Sequence, residues 1–458
     1  MLILEVSRFF GNMRRFFCGS AKGGKMAQKT VFTAFVLLST LFFTSCDYPE
    51  WPASDEPFRV ALSLSPFSLN QFEDGYTFKV GDETATTAEE LQTIYNNLGS
   101  TEMYVRIGTK RHVTRNEDGT LNNFVDGKED ENANAHTFDQ AIELCNIAAT
   151  LDVPINPEIM CAHIYMDMDR QEAPNFDEYP EFNELMNGKK WSELSLEEIR
   201  TVLKAYGKFV AGAFLEAGCT VNNWNIGNEA NSGFAGIGIG LKTAVNPDLE
   251  DASGLIKYTG SLFHVYWLKD NLWNYEAKAM AAVKEGVLEA YAEKDINASN
   301  VKFSTHIATV VATTRSTVSF FKTLKENGFA VDVAGISFYP SAASMSIDKW
   351  DLLKRTVVRI NHELKVPVFI AEFSYPSGKM SGPFKSWNKK FDKYSHSQSG
   401  QAGLYGDLVS WGKKNGIAGV RYWAPDYEKW YAMSMFEFDD KVGTAKTILL
   451  DHKELIEK

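Results

Sequence analysis

Eight short apolar runs, separated by longer helical patterns, are the feature that most constrains how this chain can fold. In order they read RVALSL from Arg59, EMYVRI from Glu102, VPINPEIM from Val153, VNNWNIG from Val221, VKFSTHI from Val301, VDVAGISFYP from Val331, VPVFIAEF from Val366 and IAGVRYW from Ile417. Such β-rich runs indicate strands that are buried on both faces, as the strands of a parallel sheet are.

Helical patterns lie between these runs, for example at residues 137–151, 195–218 and 275–294. The first two carry apolar residues at three- and four-residue spacing, which is typical of an amphipathic helix. Eight alternating strand and helix units predict an α/β protein with a (β/α)8 TIM barrel. A doubly wound open sheet is the structural alternative. Because we find no repeat or linker within residues 59–458, we predict a single catalytic domain there.

The composition restricts the class of partner. The net charge is −12, and the Lys residues are scattered among acidic ones, so neither a phosphate-binding surface nor a nucleic-acid partner is expected. Aromatic residues make up 13% of the chain, with 10 Trp and 18 Tyr. This content suits a large core, and it equally suits a cleft in which sugar rings stack.

The N-terminal region resembles a secretory signal. From Met26 the chain has a basic Lys29, an apolar run from Val31 to Phe43 and then Thr44-Ser45-Cys46. Small residues before a Cys resemble the lipobox of bacterial lipoproteins, so we predict that Cys46 is lipidated. The run is short for a membrane-spanning helix, although an uncleaved anchor is the alternative.

These features divide the chain into three parts. Residues 1–46 are predicted to be leader and signal peptide, with residues 1–25 an overlong gene start or an extended basic leader. Residues 47–58, rich in Pro and acidic residues, form a flexible tether, and residues 59–458 form the folded domain. The expected location is the bacterial envelope, at the outer membrane or the cell surface.

Three cysteines remain in the folded domain, Cys145, Cys161 and Cys219. Their number is odd and their spacing is not that of a metal site. We therefore predict buried thiols and no disulfide framework.

Polar side chains occur at the carboxyl ends of the second to eighth predicted strands, where barrel enzymes carry their active sites. In chain order these candidate residues are Arg106, Glu158, Asn228, Glu229, His306, Tyr339, Glu372 and Trp423.

Glu229 and Glu372 are carboxylates at matching positions, after the fourth and seventh strands. A single Glu there is more often part of a surface ion pair or a helix cap, but two on one rim can face each other across the barrel mouth. Glycoside cleavage needs such a pair, one protonated to release the leaving oxygen and one ionised to attack or to direct water. Nearby Arg106 and Tyr339 would favour the ionised form of one of them.

The strand-end motifs resemble those of glycoside hydrolase family 53, the arabinogalactan endo-β-1,4-galactanases of the retaining clan A. The stretch NWNIGNEANSGF is similar to the family's QIGNExxxG signature. VDVAGISFYP is similar to its DVIGLSYYP strand, VPVFIAEFSYP to its VMVVETAYP strand and GVRYWAP to its GxFYWEP terminus. The similarity runs in order through residues 59–430.

The resemblance implies a role for each matching residue. Glu229 becomes the general acid/base and Glu372 the nucleophile of a retaining reaction that passes through a covalent glycosyl-enzyme. Tyr339 would hold the nucleophile, and Arg106 would keep it ionised.

The remaining candidates are expected to bind substrate. Asn228 would form a hydrogen bond with the sugar 2-hydroxyl, and Trp423 would form the floor under the reacting sugar. Arg106, Glu158 and His306 are also predicted to be substrate-binding residues.

This chain departs from the family pattern at the third strand. The family's Asp-x-His-Tyr-Ser-Asp run is replaced by PEIMCAHIYMD, with Glu158 for the Asp, Met160 for the His and Cys161 for the Tyr. Ala424 also stands where the family has a Glu after the Trp. These are binding positions, so they affect galactan specificity and leave the reaction type intact.

The remaining motifs give weaker evidence about function. The long loop at residues 233–275 has five aromatic residues that would either add sugar subsites or pack the loop down: Phe263, Tyr266, Trp267, Trp273 and Tyr275. Its GFAGIGIG stretch lacks the strand-then-helix setting of a dinucleotide loop. NHELK lacks a second His, and the loop after the seventh strand has few carboxylates. We predict no cofactor and no metal.

Together these features predict a lipid-anchored, retaining endo-β-1,4-galactanase that acts on galactan or arabinogalactan. A clan A β-glycosidase with a different β-linked glycan is the first alternative. A non-catalytic, glycan-binding surface lipoprotein is the second, but a binding module has no need of an acid/base pair.

Overall fold

The computed structural model describes residues 56–258, 262–309, 312–342 and 349–458. The predicted signal peptide, Cys46 and most of the tether lie outside these residues. The described residues belong to one compact unit.

Eight parallel strands form the central sheet. In chain order, β1 to β8 are Arg59–Ala61, Met103–Ile107, Ile155–Ile159, Asn223–Ile226, Lys302–Ala308, Val333–Phe338, Val368–Phe373 and Ile417–Tyr422. Seven strands fall within their apolar runs, and β5 extends one residue beyond its run, to Ala308. The spatial order is β1-β8-β7-β6-β5-β4-β3-β2.

The two end strands do not pair in a continuous ladder, but several hydrogen bonds join them and the residues beside them. The amide of Thr101 donates to the carbonyl oxygen of Val60 (2.8 Å), and the amide of Tyr104 donates to Ser63 Oγ (3.0 Å). The sheet is therefore a nearly closed barrel. The predicted TIM barrel is confirmed, and the open doubly wound sheet is excluded.

Eight helices surround the barrel or close its end. In chain order, α1 to α8 are Ala88–Asn97, Phe138–Thr150, Leu196–Glu216, Asn274–Glu293, Thr314–Glu326, Lys349–Leu364, Gln398–Lys414 and His452–Glu457. Short α-helices occur at Ser68–Glu73, Pro180–Leu185, Leu262–Leu268 and Thr447–Leu450. The helices predicted at residues 137–151, 195–218 and 275–294 correspond to α2, α3 and α4.

Local sequence signals explain where several helices begin and how closely two of them pack. Thr87, Thr137 and Ser195 accept the amide of the third helical residue and form capping boxes at α1, α2 and α3. Helices α3 and α4 pack along their length. A Cβ atom at Gly286 of α4 would overlap the Lys204 carbonyl of α3, so this close approach requires glycine.

A disulfide joins Cys145 of α2 to Cys219, which follows α3; their Cα atoms are 6.0 Å apart. The prediction of three buried thiols was therefore wrong for two of them, whereas Cys161 is a buried free thiol. The sequence separation of the pair is 74 residues. The packing of α2 on α3 brings the two thiols together, and their spacing carries no sign of that contact.

A second, four-stranded sheet was not predicted. Its strands come from the segments after β1 and β8 and comprise Thr77–Val80, Glu83–Ala85, Phe436–Asp439 and Val442–Ala445. It joins parts of the chain more than 350 residues apart through the pairing of Thr77 with Val442. Across the described ranges, we find no helix with the length and apolar character needed to span a bilayer.

The register of the barrel strands arranges polar residues at one level inside it. Arg106 lies opposite Glu158, which in turn lies opposite Asn225. A register shift between β6 and β7 places Ser337 opposite Glu372. Parallel strands thus bring together side chains that are far apart in sequence.

Candidate active site

A cleft of about 560 Å³ opens at the carboxyl ends of the barrel strands. Glu229, Tyr339, Glu372 and Trp423 line it. They come from the ends of β4, β6, β7 and β8. The two carboxylates singled out by the sequence therefore share one cleft.

The Glu372 carboxylate is held from two sides. Its Oε1 forms an ion pair with the Arg106 guanidinium, and its Oε2 accepts the Tyr339 hydroxyl at 2.6 Å. Burial raises the pKa of Tyr339 well above its usual value, so this phenol stays protonated and donates. The positive charge stabilises Glu372 as a carboxylate, and the two contacts fix its orientation.

Arg106 lies at the centre of a buried charge network. Besides Glu372, it contacts Glu158 through Nε and donates from Nη2 to Asn228 Oδ1 at 2.6 Å. Its guanidinium carbon lies 3.8 Å from the centre of the Trp423 ring. One guanidinium thus links β2, β3, β7 and the segment after β4, a geometry that suits the rigid fork of arginine.

Glu158 is ionised although it is fully buried. Burial acts to raise the pKa of this carboxyl, but the charges of Arg106 and Arg421 outweigh that effect and hold the pKa below its usual range. Arg421 Nη1 lies 3.4 Å from Glu158 Oε2, and Asn225 Nδ2 donates to the same oxygen at 2.7 Å. The carboxylate therefore has partners for its charge inside the barrel.

His306 is neutral in this environment. Burial lowers its pKa to about 3, with the charge of Arg106 acting in the same direction. Its Nε2 lies 3.7 Å from Glu372 Oε1, and its Nδ1 lies 3.2 Å from Asn225 Nδ2. The ring packs beneath the nucleophile candidate without carrying a charge.

Four predicted substrate-binding residues do not line the cleft. Arg106, Glu158, Asn228 and His306 are each at most 2% exposed and lie beneath its floor. Asn228 uses both ends of its amide within the protein, since Nδ2 donates to the Met166 carbonyl. Their predicted contact with sugar stays a prediction, and in this structure they hold the residues that line the cleft.

Glu229 has surroundings unlike those of Glu372. Burial raises its pKa to about 7, and the negative charge of Asp167 adds to the increase. The Met168 amide donates to Glu229 Oε2 at 3.4 Å. At neutral pH this side chain can therefore carry a proton, whereas Glu372 is paired with a cation. A cleft with one acid and one carboxylate can protonate a leaving oxygen and supply a nucleophile.

Three residues at the rim adopt the left-handed backbone conformation without being glycine. Cys161, Glu229 and Ala424 have φ angles of 52°, 46° and 50°. They follow β3, β4 and β8, at the points where the chain turns into the cleft loops. This conformation is costly for residues with a side chain, and such residues cluster at functional sites.

The walls of the cleft contain residues that sequence reasoning missed. Those from the loop after β3 are Tyr165, Asp167, Met168, Asp169 and Arg170, and the aromatic ones from other loops are Phe67, Phe384, Trp387, Tyr427 and Trp430. The quoted stretch PEIMCAHIYMD ends at Asp167 and so contains Tyr165 and Asp167, but the comparison with the family assigned roles only as far as Cys161. For Phe384, Trp387, Tyr427 and Trp430, the available sequence signal was the presence of aromatic residues after β7 and β8.

The aromatic residues form two groups. Phe67 stacks on Tyr427 with ring centres 3.8 Å apart, and the Tyr427 hydroxyl donates to Glu131 at 2.8 Å. On the other side, Phe384 and Trp430 contact edge to face at 4.8 Å. Flat apolar surfaces that are partly open to the cleft suit the faces of sugar rings.

Within the loop at residues 233–275, the aromatic side chains that the structure describes do not line the cleft. Trp273 is buried and donates to the Asn231 carbonyl at 3.1 Å, while Trp267 and Tyr275 pack against the core. Packing is therefore the correct reading for these three. Tyr266 is 60% exposed, and the Phe263 side chain lies outside the described residues.

The sequence pattern of glycosyl hydrolase family 53 matches residues 177–454, more than half of the chain. The chain belongs to glycosyl hydrolase family 53. The range matched by family 53 contains the cleft-lining residues Glu229, Tyr339, Glu372 and Trp423. It begins after β3, so the departures from the family 53 motifs at β3 lie outside it, whereas the departure at Ala424 lies inside it.

Solved structures agree with the family 53 fold. A fungal β-1,4-galactanase has 16% identity and a TM-score of 0.60, over 88% of this chain and all (100%) of that chain. The family 53 catalytic domain of Ignisphaera aggregans also has 16% identity, with a TM-score of 0.62 over 89% of this chain and 99% of that chain. No curated protein matches the sequence. As a family 53 member with this barrel, the protein is a clan A glycoside hydrolase.

The departures from the family 53 motifs at β3 and after β8 are buried. Met160 and Cys161 are fully buried, and Ala424 is 2% exposed. The family 53 positions that they occupy therefore contribute no side chain to this cleft. Its wall is made instead by the loop segment from Tyr165 to Arg170.

Proposed function

We propose that this glycoside hydrolase cleaves β-1,4-galactan, or a closely related plant galactan, in a retaining two-step reaction. The observation that carries the proposal is the contrast between the two carboxyl groups in the cleft. Glu372 is paired with Arg106, and burial raises the pKa of Glu229 to about 7. This is the division between ionised nucleophile and protonated acid that a retaining glycosidase needs.

In the first step, Glu372 attacks the anomeric carbon and forms a carbon–oxygen bond to it. The bond from that carbon to the leaving oxygen breaks, and Glu229 gives its proton to this oxygen. Tyr339 and Arg106 hold Glu372 in line for the attack through the contacts described above. The products are a glycosyl-enzyme and a shortened chain with a free hydroxyl.

In the second step, Glu229, now a carboxylate, takes a proton from water as the water oxygen attacks the anomeric carbon. The bond between that carbon and Glu372 breaks and restores the carboxylate. Glu229 ends protonated, as it began. Two inversions at the anomeric carbon give overall retention.

The galactan assignment is supported by family membership and by the fungal β-1,4-galactanase that shares this fold. The aromatic walls offer stacking surfaces for a chain of neutral sugars. A different β-linked glycan is the second candidate, because the cleft wall from Tyr165 to Arg170 lies outside the family match. A glycan-binding protein without activity would not need an acid with a raised pKa.

The substrate is tested with the soluble protein starting after Cys46. We expect it to release short galacto-oligosaccharides from β-1,4-galactan, separated by chromatography, while Glu372→Ala releases none. Release of oligosaccharides from xylan, mannan or β-glucan but not from galactan would show that the substrate assignment is wrong and that the reaction class is right. Binding to galactan without cleavage of any of these glycans would indicate a lectin.

The pH dependence of activity follows from Glu229. Because the general acid must be protonated, kcat/KM is expected to be half-maximal near pH 7 on the basic side, at the pKa to which burial raises Glu229. Above that pH it should fall about tenfold per pH unit. The measurement is kcat/KM on galacto-oligosaccharides from pH 4 to 9. A profile that stays flat to pH 9 would remove Glu229 from the acid role.

The pH dependence of stability provides an independent check on the raised pKa of Glu229. Its pKa in the folded protein lies above the usual 4.5, so its ionisation costs stability as pH rises from about 4.5 to 7. Glu229→Gln should therefore raise the free energy of unfolding at pH 8 but not at pH 4. Solvent screens this partly open side chain, so we expect a gain of about 1–2 kcal/mol. Urea unfolding at the two pH values measures it.

We also propose that the protein is lipid-anchored at the bacterial envelope through Cys46. The signal-like sequence before Cys46 supports this location. The disulfide between Cys145 and Cys219 does so as well, since such bonds persist mainly in oxidising compartments. Metabolic labelling with a fatty acid should mark the wild-type protein and not Cys46→Ser. Equal labelling of both would reject lipidation at Cys46.

A further inference from the structure

A third carboxylate, Asp167, lies in the cleft wall next to Glu229. Its Oδ1 accepts the backbone amides of Asp169 and Arg170, both at 2.7 Å. The turn formed in this way presents the amide of Met168, which donates to Glu229 Oε2 at 3.4 Å. Asp167 therefore shapes the backbone segment that contacts Glu229.

The loop that carries Asp167 is anchored on both sides. Arg170 bonds Asp130 Oδ2 at 2.7 Å and, through Nε, Glu172 Oε1 at 2.8 Å. The other oxygen of Glu172 accepts the amides of Ile164 at 2.9 Å and Tyr165 at 3.1 Å. These bonds restrain the loop before and after Asp167, so its carboxylate is held in a defined place.

We propose that Asp167 is a positioning residue that orients Glu229 and favours its protonated form. This inference rests on the proposed role of Glu229 as general acid. Asp167 acts through two features of its own position. Its turn places the Met168 amide, and its negative charge opposes the ionisation of Glu229.

The charged groups around Glu229 agree with this assignment. Burial is the largest cause of the raised pKa of Glu229 and the charge of Asp167 is the second. Hydrogen bonds from Ser337 and the Met168 amide, and then the charge of Arg106, act in the opposite direction. The Met168 amide therefore orients Glu229, and the charge of Asp167 favours the protonated form of Glu229. From the remaining sides it is faced by the phenols of Tyr165 and Tyr339, whose pKa values are also raised, so both are neutral. Glu372 lines the same cleft, and Arg106 compensates its charge.

Asp167 accepts hydrogen bonds that favour its charged form. Burial is the largest effect and raises the pKa of Asp167 above its usual value, and the hydrogen bonds from the Arg170 and Asp169 amides limit that increase. An asparagine at this position can accept both amides with its carbonyl oxygen. Asp167→Asn therefore removes the charge while keeping the turn.

The pH profile of Asp167→Asn tests the proposal. We expect the basic limb of kcat/KM to move to lower pH by roughly one unit relative to wild type. The matched control is Asp169→Asn, which removes the same charge from an exposed position on the same loop and should move the limb less. Asp167→Ser is a second variant, because a serine hydroxyl can cap the turn without a charge. An unchanged limb in folded Asp167→Asn and Asp167→Ser would overturn the proposal.

A measurement that needs no substrate separates this inference from the proposed function. Carboxyl ¹³C NMR of glutamate-labelled protein, with Glu229→Gln to assign the signal, gives the pKa of Glu229 directly. We expect a lower value in Asp167→Asn than in wild type, and equal values would reject the role of Asp167. If wild type fails to cleave galactan while the NMR shift appears, the substrate assignment fails and the inference about Asp167 stands.

Discussion

Replacement of Glu372 by alanine is expected to lower kcat on β-1,4-galactan by about 10⁴-fold or more. In the proposed reaction, the substitution removes the oxygen that would form the covalent intermediate, together with the contacts of that carboxylate to Arg106 and Tyr339. The expected change is in kcat, because the aromatic walls that bind the glycan remain. Initial rates measured with purified wild type and Glu372→Ala test this.

Azide distinguishes a lost nucleophile from a damaged fold. With an aryl β-galactoside that has a good leaving group, azide should enter the space left in Glu372→Ala and attack from the same face. The product is then the α-galactosyl azide. Glu229→Ala is the matched control, since azide there should attack the glycosyl-enzyme from the opposite face and give the β-azide. Identical products from the two variants would contradict the assigned roles.

Replacement of Arg106 by methionine is expected to lower the free energy of unfolding by about 3–5 kcal/mol. Arg106 is the shared partner of Glu158 and Glu372 inside the barrel, and its loss leaves buried negative charge without compensation. Activity should fall as well, because Glu372 loses the contact that orients it. Denaturant unfolding at pH 7 provides the measurement.

Two further variants separate charge from shape. Arg106→Lys keeps the charge but cannot reach Glu158, Asn228 and Glu372 together, so it should recover stability only in part. Combining Arg106→Met with Glu158→Gln removes one of the two carboxylates and should cost less than the sum of the single changes. Additive losses would mean that the arginine acts through packing and not through its charge.

Several properties of this protein were determined by the sequence alone. The eight apolar runs from Arg59 to the eighth strand predicted every barrel strand, because a strand buried on both faces leaves a local and repeated pattern. A parallel barrel gathers the carboxyl ends of its strands at one face. For that reason, Glu229 and Glu372 could be assigned to one cleft although 142 residues of chain lie between them.

The tertiary structure decided how deep each polar residue lies. Arg106, Glu158, Asn228 and His306 stand at strand ends as the cleft residues do, yet they lie beneath its floor. The position of a residue along its strand indicates the end of the barrel at which the residue lies. It does not indicate how deep the side chain lies below the cleft, which depends on strand register and on the side chains above it.

Contacts distant in sequence were likewise decided only by the fold. The bond between Cys145 and Cys219 depends on how α2 packs on α3, and the place of Asp167 depends on how the loop after β3 is tied to its neighbours. Hydrophobic periodicity reports the local environment of a segment, whereas such contacts form only when separate segments meet.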